Sequence, residues 1–302
     1  MVAAVDWGGT WLRVALASGG QLLAQARQPR PEGIEEQCEL LGDLVARLGR
    51  ELGQPATAIG VGIAGITRGG RVESASNIGI RRPYDLADRL RRGSGLPVVV
   101  VNDTQAAAIA ESARAGPGTA VLLTVGTGIG GAIVCDGHLV LGEGAAGDFG
   151  HMVMAVDGPE CACGGRGCLE QLVSGRVLDE VARDLAASGA SGWLAARARD
   201  GRQLHAGDLD AGASTGDPAA LAALDSTAAT FALALRSVTA AADPRVIILG
   251  GGLMGSDKLL PRLVRERWRA ERPPWSAAEL LPAAFGADAG LRGAALLAAS
   301  LG

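Results

Sequence analysis

Two stretches of the chain follow one scheme, and that repetition narrows the folds open to it. Residues 2–5 form a short apolar strand, 12–16 a second, and a turn at Ser18-Gly19-Gly20 leads to a third near 21–27. Alternating strands broken by glycine turns read as a meander. The same scheme returns at 119–125, 132–136 and 138–142. After the first meander, Leu40, Leu41, Leu44, Val45 and Leu48 recur at helical spacing and predict a helix over 35–53. Strands follow at 58–65 and 97–103, then a small-residue helix at 104–116 that Gly116-Pro117-Gly118 ends. After the second meander come a loop-rich stretch at 143–168 and an almost wholly helical one at 169–243. A strand at 246–252, a helix from about 256, a strand at 279–285 and a closing helix at 289–300 complete the chain. Meanders followed by helices and parallel strands predict a duplicated α/β fold. Its domains are expected at 1–118 with 289–302 and at 119–288, with a cleft between them.

The length of 302 residues accommodates two such domains. The net charge of −4 lacks the basic footprint of a nucleic-acid binder, so an anionic ligand must be held by backbone amides or a metal. No charged-then-apolar leader precedes the first strand, and no run of 18 apolar residues reads as a membrane span. The expected compartment is the cytoplasm, with no membrane partner. Of five cysteines, Cys38 and Cys135 stand alone and read as simple core or surface thiols.

Three glycine turns stand where strands end. Asp6-Trp7-Gly8-Gly9-Thr10 carries an acid to the end of a strand and then turns sharply, so that Gly8, Gly9 and Thr10 can approach phosphate oxygens. Asp6 would meet a magnesium–phosphate there, although a plain hairpin turn reads the same way. Gly126, Thr127 and Gly128 form the matching turn of the second half. With Gly131 they spell the glycine pattern of a dinucleotide site, but that fingerprint needs a following helix and the next residues alternate like a strand. Gly250, Gly251 and Gly252 end the strand at 246–252; a helix is expected after them, but an acidic partner would have to be Glu271, itself in a helix. The glycines there read as a turn against which a nucleotide can lie.

Asn102-Asp103 ends an apolar strand and opens a helix. Asp103 fits a helix N-cap, or a general base at the C-terminal end of a sheet strand, where α/β proteins bind ligands. His151, Cys161, Cys163 and Cys168 lie within 18 residues in C-x-C-x₄-C spacing. One imidazole and three thiolates make a closed tetrahedral zinc set with no open position, hence a structural Zn²⁺. The same stretch carries Asp148 and Glu170, acids able to accept from ligand hydroxyls, and the second nitrogen of His151 can point the same way.

The chain resembles the ROK family, named for repressors, open reading frames and sugar kinases. The resemblance rests on DWGGT (6–10), VNDTQAAAIAE (101–111), LTVGTGIGGAIV (123–134), GAAGDFGH (144–151), CACGGRGCLE (161–170) and VIILGGG (246–252). It implies two ribonuclease-H-like (actin-like ATPase) domains and ATP-dependent phosphorylation of a hexose or amino-hexose, most simply at O6. By resemblance Asp103 is the base; Gly65, Asn77, Asn102, Asp103, Asp148, His151 and Glu170 line the sugar pocket; and Asp6, Gly8, Gly9, Thr10, Gly126, Thr127, Gly128, Gly250, Gly251 and Gly252 hold ATP with Mg²⁺. It also implies a homodimer.

The chain departs from the family's kinases at two places. Asp148 stands where they carry Glu, withdrawing the carboxylate by about 1.5 Å, one C–C bond. Arg81 and Arg82 replace aromatic bulk after Asn77, where long charged side chains most often face solvent. Glucose is the default substrate, with glucosamine, kanosamine, N-acetylglucosamine and N-acetylmannosamine as alternatives. Competing functions are a sugar-binding regulator without turnover, a repressor of the same family, and a kinase using polyphosphate. A repressor needs a helix-turn-helix ahead of residue 6 and a basic surface; a polyphosphate kinase needs a run of basic residues.

Overall fold

The structure is a computed structural model and describes residues 1–301. The chain divides into two compact units, one of Met1–Gly118, Ala132–Gly147 and Ala284–Gly302, the other of Thr119–Gly131 and Asp148–Ala283. Residues 132–147 and 284–288 thus group with the first unit.

The elements in chain order are β1 (Val2–Trp7), β2 (Trp11–Ser18), β3 (Gln21–Pro29), α1 (Ile34–Leu52), β4 (Ile59–Ile63), β5 (Ile66–Arg68), β6 (Arg71–Ser74), α2 (Leu86–Ser94), β7 (Val98–Asn102) and α3 (Asp103–Ala115). There follow β8 (Thr119–Val125), β9 (Ile129–Cys135), β10 (His138–Leu139), α4 (Glu170–Val173), α5 (Gly175–Ala187), α6 (Gly192–Arg199), α7 (Ala206–Ser214) and α8 (Pro218–Ala242). The chain closes with β11 (Val246–Gly250), α9 (Leu260–Glu271), β12 (Glu279–Pro282) and α10 (Ala289–Ala299).

The first sheet runs β3-β2-β1-β4-β7, with β1, β2 and β3 antiparallel and β4 and β7 parallel to β1. Its period-two alternation sorts side chains by size. Ala3, Val5, Trp7, Leu12, Val14 and Leu16 face one core with Leu41, Leu44 and Leu48 of α1. Ala4, Ala15 and Ala17 face the other way and pack on Leu291, Ala294 and Ala295 of α10. Small residues on that face let α10 come close: a Cβ on Gly60 would stand 1.9 Å from the Ala294 carbonyl oxygen. Gly60→Ala is therefore expected to cost about 1–3 kcal/mol by overpacking, read as a lower urea midpoint with an unchanged slope.

The second sheet runs β10-β9-β8-β11-β12, repeating the first order position by position, with β8, β11 and β12 parallel. Two mixed α/β sheets of one topology match the duplicated scheme read from sequence. Helix α8 does not overturn the expectation that no segment spans a membrane. Among the described residues it has the length and composition of a membrane span, with a mean hydropathy of 1.4. Its buried face, with Leu224, Phe231, Leu235 and Val238, packs against α7 and α9, and a core helix meets the same test.

Candidate active site

In the first unit, β1 delivers Asp6 to the turn at Gly8–Thr10, which closes when Gly8 N–H donates to the Trp11 carbonyl at 3.1 Å. Arg30 clips this turn from outside. Its Nε donates to the Gly9 carbonyl at 2.9 Å, and Nη2 to the Asn77 carbonyl at 3.1 Å. Asn77 lies in a 3₁₀ turn, Ser76–Ile78, and a Cβ on Gly9 would stand 3.4 Å from that of Asn77. Asp6, Gly8, Gly9, Thr10, Arg13 and Ala287 share a cavity of about 630 Å³. Burial pushes the Asp6 carboxyl above the usual aspartate range; Arg13, at 3.3 Å, draws it back, and Asp103 pushes it up again. Asp6 and Asp103 are thus electrostatic neighbours, although 97 positions apart in sequence.

The N-cap of α3 is Asn102 rather than Asp103. Asn102 Oδ1 accepts from the backbone of Thr104 at 2.8 Å and of Gln105 at 3.3 Å, and Gln105 returns a bond to the Asn102 N–H. This capping box satisfies donors that a helix start would otherwise leave orphaned. It also limits Asn102 as a sugar ligand: Oδ1 is engaged, and Nδ2 already donates to the Gly65 carbonyl at 2.9 Å. Gly65 has no room for a side chain, since a Cβ would meet the Ser74 carbonyl at 2.6 Å. Asp103 becomes the first helical residue, half-buried, its Oδ1 accepting from Thr104 N–H at 2.7 Å. Burial raises its carboxyl above the usual range, and the bonds from Thr104 lower it.

In the second unit the turn at Gly126–Gly128 sits on the start of α5. Gly175 N–H donates to the Gly126 carbonyl at 2.8 Å, and Thr127 is exposed. Glu170 presses on the turn: its Oε2 accepts Ile129 N–H at 2.8 Å and lies 2.3 Å from where a Gly128 Cβ would be. Gly251, at φ 88°, meets the same turn, with its missing Cβ 2.3 Å from the Val125 carbonyl oxygen. Only glycine suits both its conformation and its spacing. Gly250 ends β11 and Gly252 opens a 3₁₀ turn, Gly252–Met254. The following helix starts at Leu260, not near 256, because Asp210 accepts the N–H groups of Leu259 and Leu260. The glycines after β8 lead into strand β9, not a helix.

Asp148 precedes the 3₁₀ turn Phe149–His151, and its Oδ2 lies 3.9 Å from His151 Nε2. Burial raises the Asp148 carboxyl, His151 lowers it, and Glu170 raises it again, so Asp148, His151 and Glu170 form one electrostatic group. The other imidazole nitrogen turns away: His151 Nδ1 is 3.5 Å from Cys161 Sγ. Cys163 and Cys168 are 3.6 Å apart at sulfur, and all four ligand atoms lie within 4.8 Å of one another. Ligands about 2.3 Å from a tetrahedral zinc ion stand about 3.8 Å apart, so this set fits. Backbone and side-chain hydrogen bonds, chiefly from Cys163, hold the Cys161 thiol down to about 6, while burial pushes Cys168 up to about 12.

The first unit therefore brings together Asp6, the Gly8–Thr10 turn, Gly65, Asn77, Asn102 and Asp103. The second brings together both other glycine turns, Asp148, His151, Glu170 and the three cysteines. Arg81 and Arg82 are exposed. Arg13 and Arg30 carry no signal in the sequence, because nothing in their neighbourhoods marks an arginine whose partners are backbone carbonyls and distant carboxylates.

This arrangement belongs to a known class. The ROK family model matches residues 2–300, and the chain belongs to that family. It is 34% identical over 301 residues to an N-acetylmannosamine kinase of Escherichia coli (strain SMS-3-5 / SECEC), covering 98% of this chain and 97% of the relative. A ROK hexokinase from Thermus thermophilus superposes with a TM-score of 0.86 at 33% identity, covering 99% of this chain and 98% of the other. A ROK family glucokinase from Streptomyces griseus, in complex with glucose and AMPPNP, gives 0.79 at 31% identity, with 99% of both chains covered.

Proposed function

We propose that this chain is an ATP-dependent sugar kinase acting on a hexose or amino-hexose hydroxyl, most simply O6, with Asp103 as general base. Its relatives are sugar kinases, and the chain is a sugar phosphotransferase. The observation that carries the assignment of the base is the place of Asp103: the first residue of α3, freed from capping by Asn102 and raised by burial toward the range in which a carboxylate accepts a proton well. The attacking hydroxyl gives its proton to Asp103 as its oxygen bonds to the γ-phosphorus; the bond from that phosphorus to the β,γ-bridging oxygen breaks and ADP leaves.

The Gly8–Thr10 turn with Asp6, and the turns at 126–128 and 250–252, are assigned to ATP. Magnesium, when bound with ATP, neutralises phosphate charge. Gly65, Asn77, Asn102, Asp148, His151 and Glu170 are assigned to the sugar. His151, Cys161, Cys163 and Cys168 would hold a structural zinc ion that fixes the loop carrying His151.

The test is a coupled ADP-release assay with MgATP against glucose, mannose, fructose, glucosamine, kanosamine, N-acetylglucosamine and N-acetylmannosamine. Turnover is expected on one or a few of these. The shortened acid at 148 is compatible with an amino sugar, whose nitrogen substituent can face its carboxylate. Detectable sugar binding without turnover on any of them would replace the kinase by a sugar-binding regulator.

A further inference from the structure

A fully buried carboxylate lies outside every residue assigned above. Glu111, in the third turn of α3, is 0% exposed. Both of its oxygens accept Ala284 N–H at 3.0 Å, and Oε1 accepts Phe285 N–H at 2.9 Å. Arg114, one turn on, lies 3.5 Å from Oε2. A buried carboxylate satisfied by backbone donors fixes the segment that supplies them. That segment ends in two acceptors, the Ala287 carbonyl and the Asp288 carboxylate, and both are taken by Arg13 at 2.5 Å. Among the described residues Arg13 also donates to Asp6 Oδ2, its partner across the β1–β2 ladder. The line thus runs from Glu111 through 284–288 to Arg13 and ends on Asp6.

We propose that Arg13 is a positioning residue for the donor half of the site. Held by Asp288 and the Ala287 carbonyl, it keeps the Asp6 carboxylate beside the Gly8–Thr10 turn. The inference rests on the kinase reading for the identity of the donor. A guanidinium suits the task because its planar fork engages partners in several directions at once, which an ammonium does not reproduce. Asp6 needs holding, because its other charged neighbours, Asp103 and Asp288, both repel it. Arg13 lines the same cavity as the turn, so a shift of its head group is felt where phosphates would lie.

The experiment titrates Mg·AMPPNP calorimetrically into wild type, Arg13→Lys, Arg13→Ala and Asp288→Asn, with sugar affinity and melting temperature recorded on the same preparations. Arg13→Ala is expected to weaken Mg·AMPPNP binding about tenfold or more, with sugar affinity held within about twofold. Arg13→Lys and Asp288→Asn are expected to shift it the same way, each by less than Arg13→Ala. The Mg²⁺ concentration for half-maximal turnover should rise in the same order. Asp288→Asn leaves the guanidinium in place and alters a partly exposed anchor, so it keeps the test open if Arg13→Ala fails to fold.

Wild-type nucleotide affinity in Arg13→Ala overturns the proposal. So does a loss in Arg13→Ala with Asp288→Asn and Arg13→Lys unchanged, which would mean that any cation at this position acts on the donor directly. Sugar and nucleotide affinity falling together with melting temperature would leave only a structural role and overturn it too. A wild type that binds Mg·AMPPNP yet turns over no sugar sinks the kinase reading while the binding series still decides the tether. A wild type that binds no Mg·AMPPNP sinks both.

Discussion

Asp103→Asn is expected to lower turnover by about 10²–10⁴-fold, the usual contribution of a positioned general base, while sugar binding changes little. The amide keeps the size and hydrogen-bonding reach of the carboxylate but takes no proton from the attacking hydroxyl. The helix start survives, because its cap is Asn102. Stability should move the opposite way from activity. Burial raises the folded-state value of Asp103 above the ordinary 3.8. Between those two values the folded chain binds more protons than the unfolded one, so wild-type stability falls as pH rises through that window and is level above it. Asparagine carries no charge to desolvate. The variant should therefore melt higher than wild type at neutral pH, and the gap should close as pH falls below 3.8. The same raised value predicts an acid limb in the kcat profile above the usual aspartate range. A variant retaining near-normal turnover would remove Asp103 from the role of base. A variant that loses turnover and melts lower would mean that the carboxylate holds the fold instead.

What sequence carried well was local. The spacing of Leu40, Leu41, Leu44, Val45 and Leu48 matches a helix observed at Ile34–Leu52, because one apolar stripe needs no partner to be recognised. C-x-C-x₄-C with a nearby histidine implied convergence, and the four ligand atoms do converge. What it missed was set at a distance. The N-cap went to Asn102 because Gln105 answers it, a reciprocal pair that a lone Asp at a strand end does not reveal. Helix α9 starts late because Asp210, 49 residues upstream, accepts its first N–H groups. The β5–β6 hairpin is only three and four residues long, carries Arg68 and Arg71, and offers no alternation to read, although Gly69 and Gly70 at its tip have the positive φ of a turn. Arg13 and Glu111 meet partners 275 and 173 residues away, a relation that exists only once α10 has packed against α3.

Cys163→Ser is expected to strip the second unit of bound zinc and to cost sugar affinity with it. The loop from 152 to 168 has little apolar side-chain burial of its own; Val153 and Val156 are 61% and 85% exposed. It is folded tightly all the same, since a Cβ on Gly167 would stand 1.6 Å from the Ala155 carbonyl oxygen. Such a turn-rich knuckle needs a cross-link, and metal binding to a closed Cys₃His set contributes on the order of 10–16 kcal/mol in small zinc domains. Cys163 is the cysteine of choice because it is exposed, so serine there opens no void; Cys161 and Cys168 are buried and would confound metal loss with packing loss. With the metal gone, His151 is expected to lose the anchor that aims Nε2 toward Asp148 and the second-unit residues assigned to the sugar to loosen, while Asp6 and the Gly8–Thr10 turn of the first unit are expected to stay in place. Metal analysis should give one zinc per chain in wild type and in a Cys135→Ser control, and none in Cys163→Ser. Limited proteolysis should open new cuts between 152 and 168, and sugar affinity should fall well beyond Mg·AMPPNP affinity. One tight zinc per chain remaining in Cys163→Ser would exclude that thiolate from the site. Zinc lost with sugar affinity unchanged would separate the metal from the substrate and leave His151 a ligand of the loop alone.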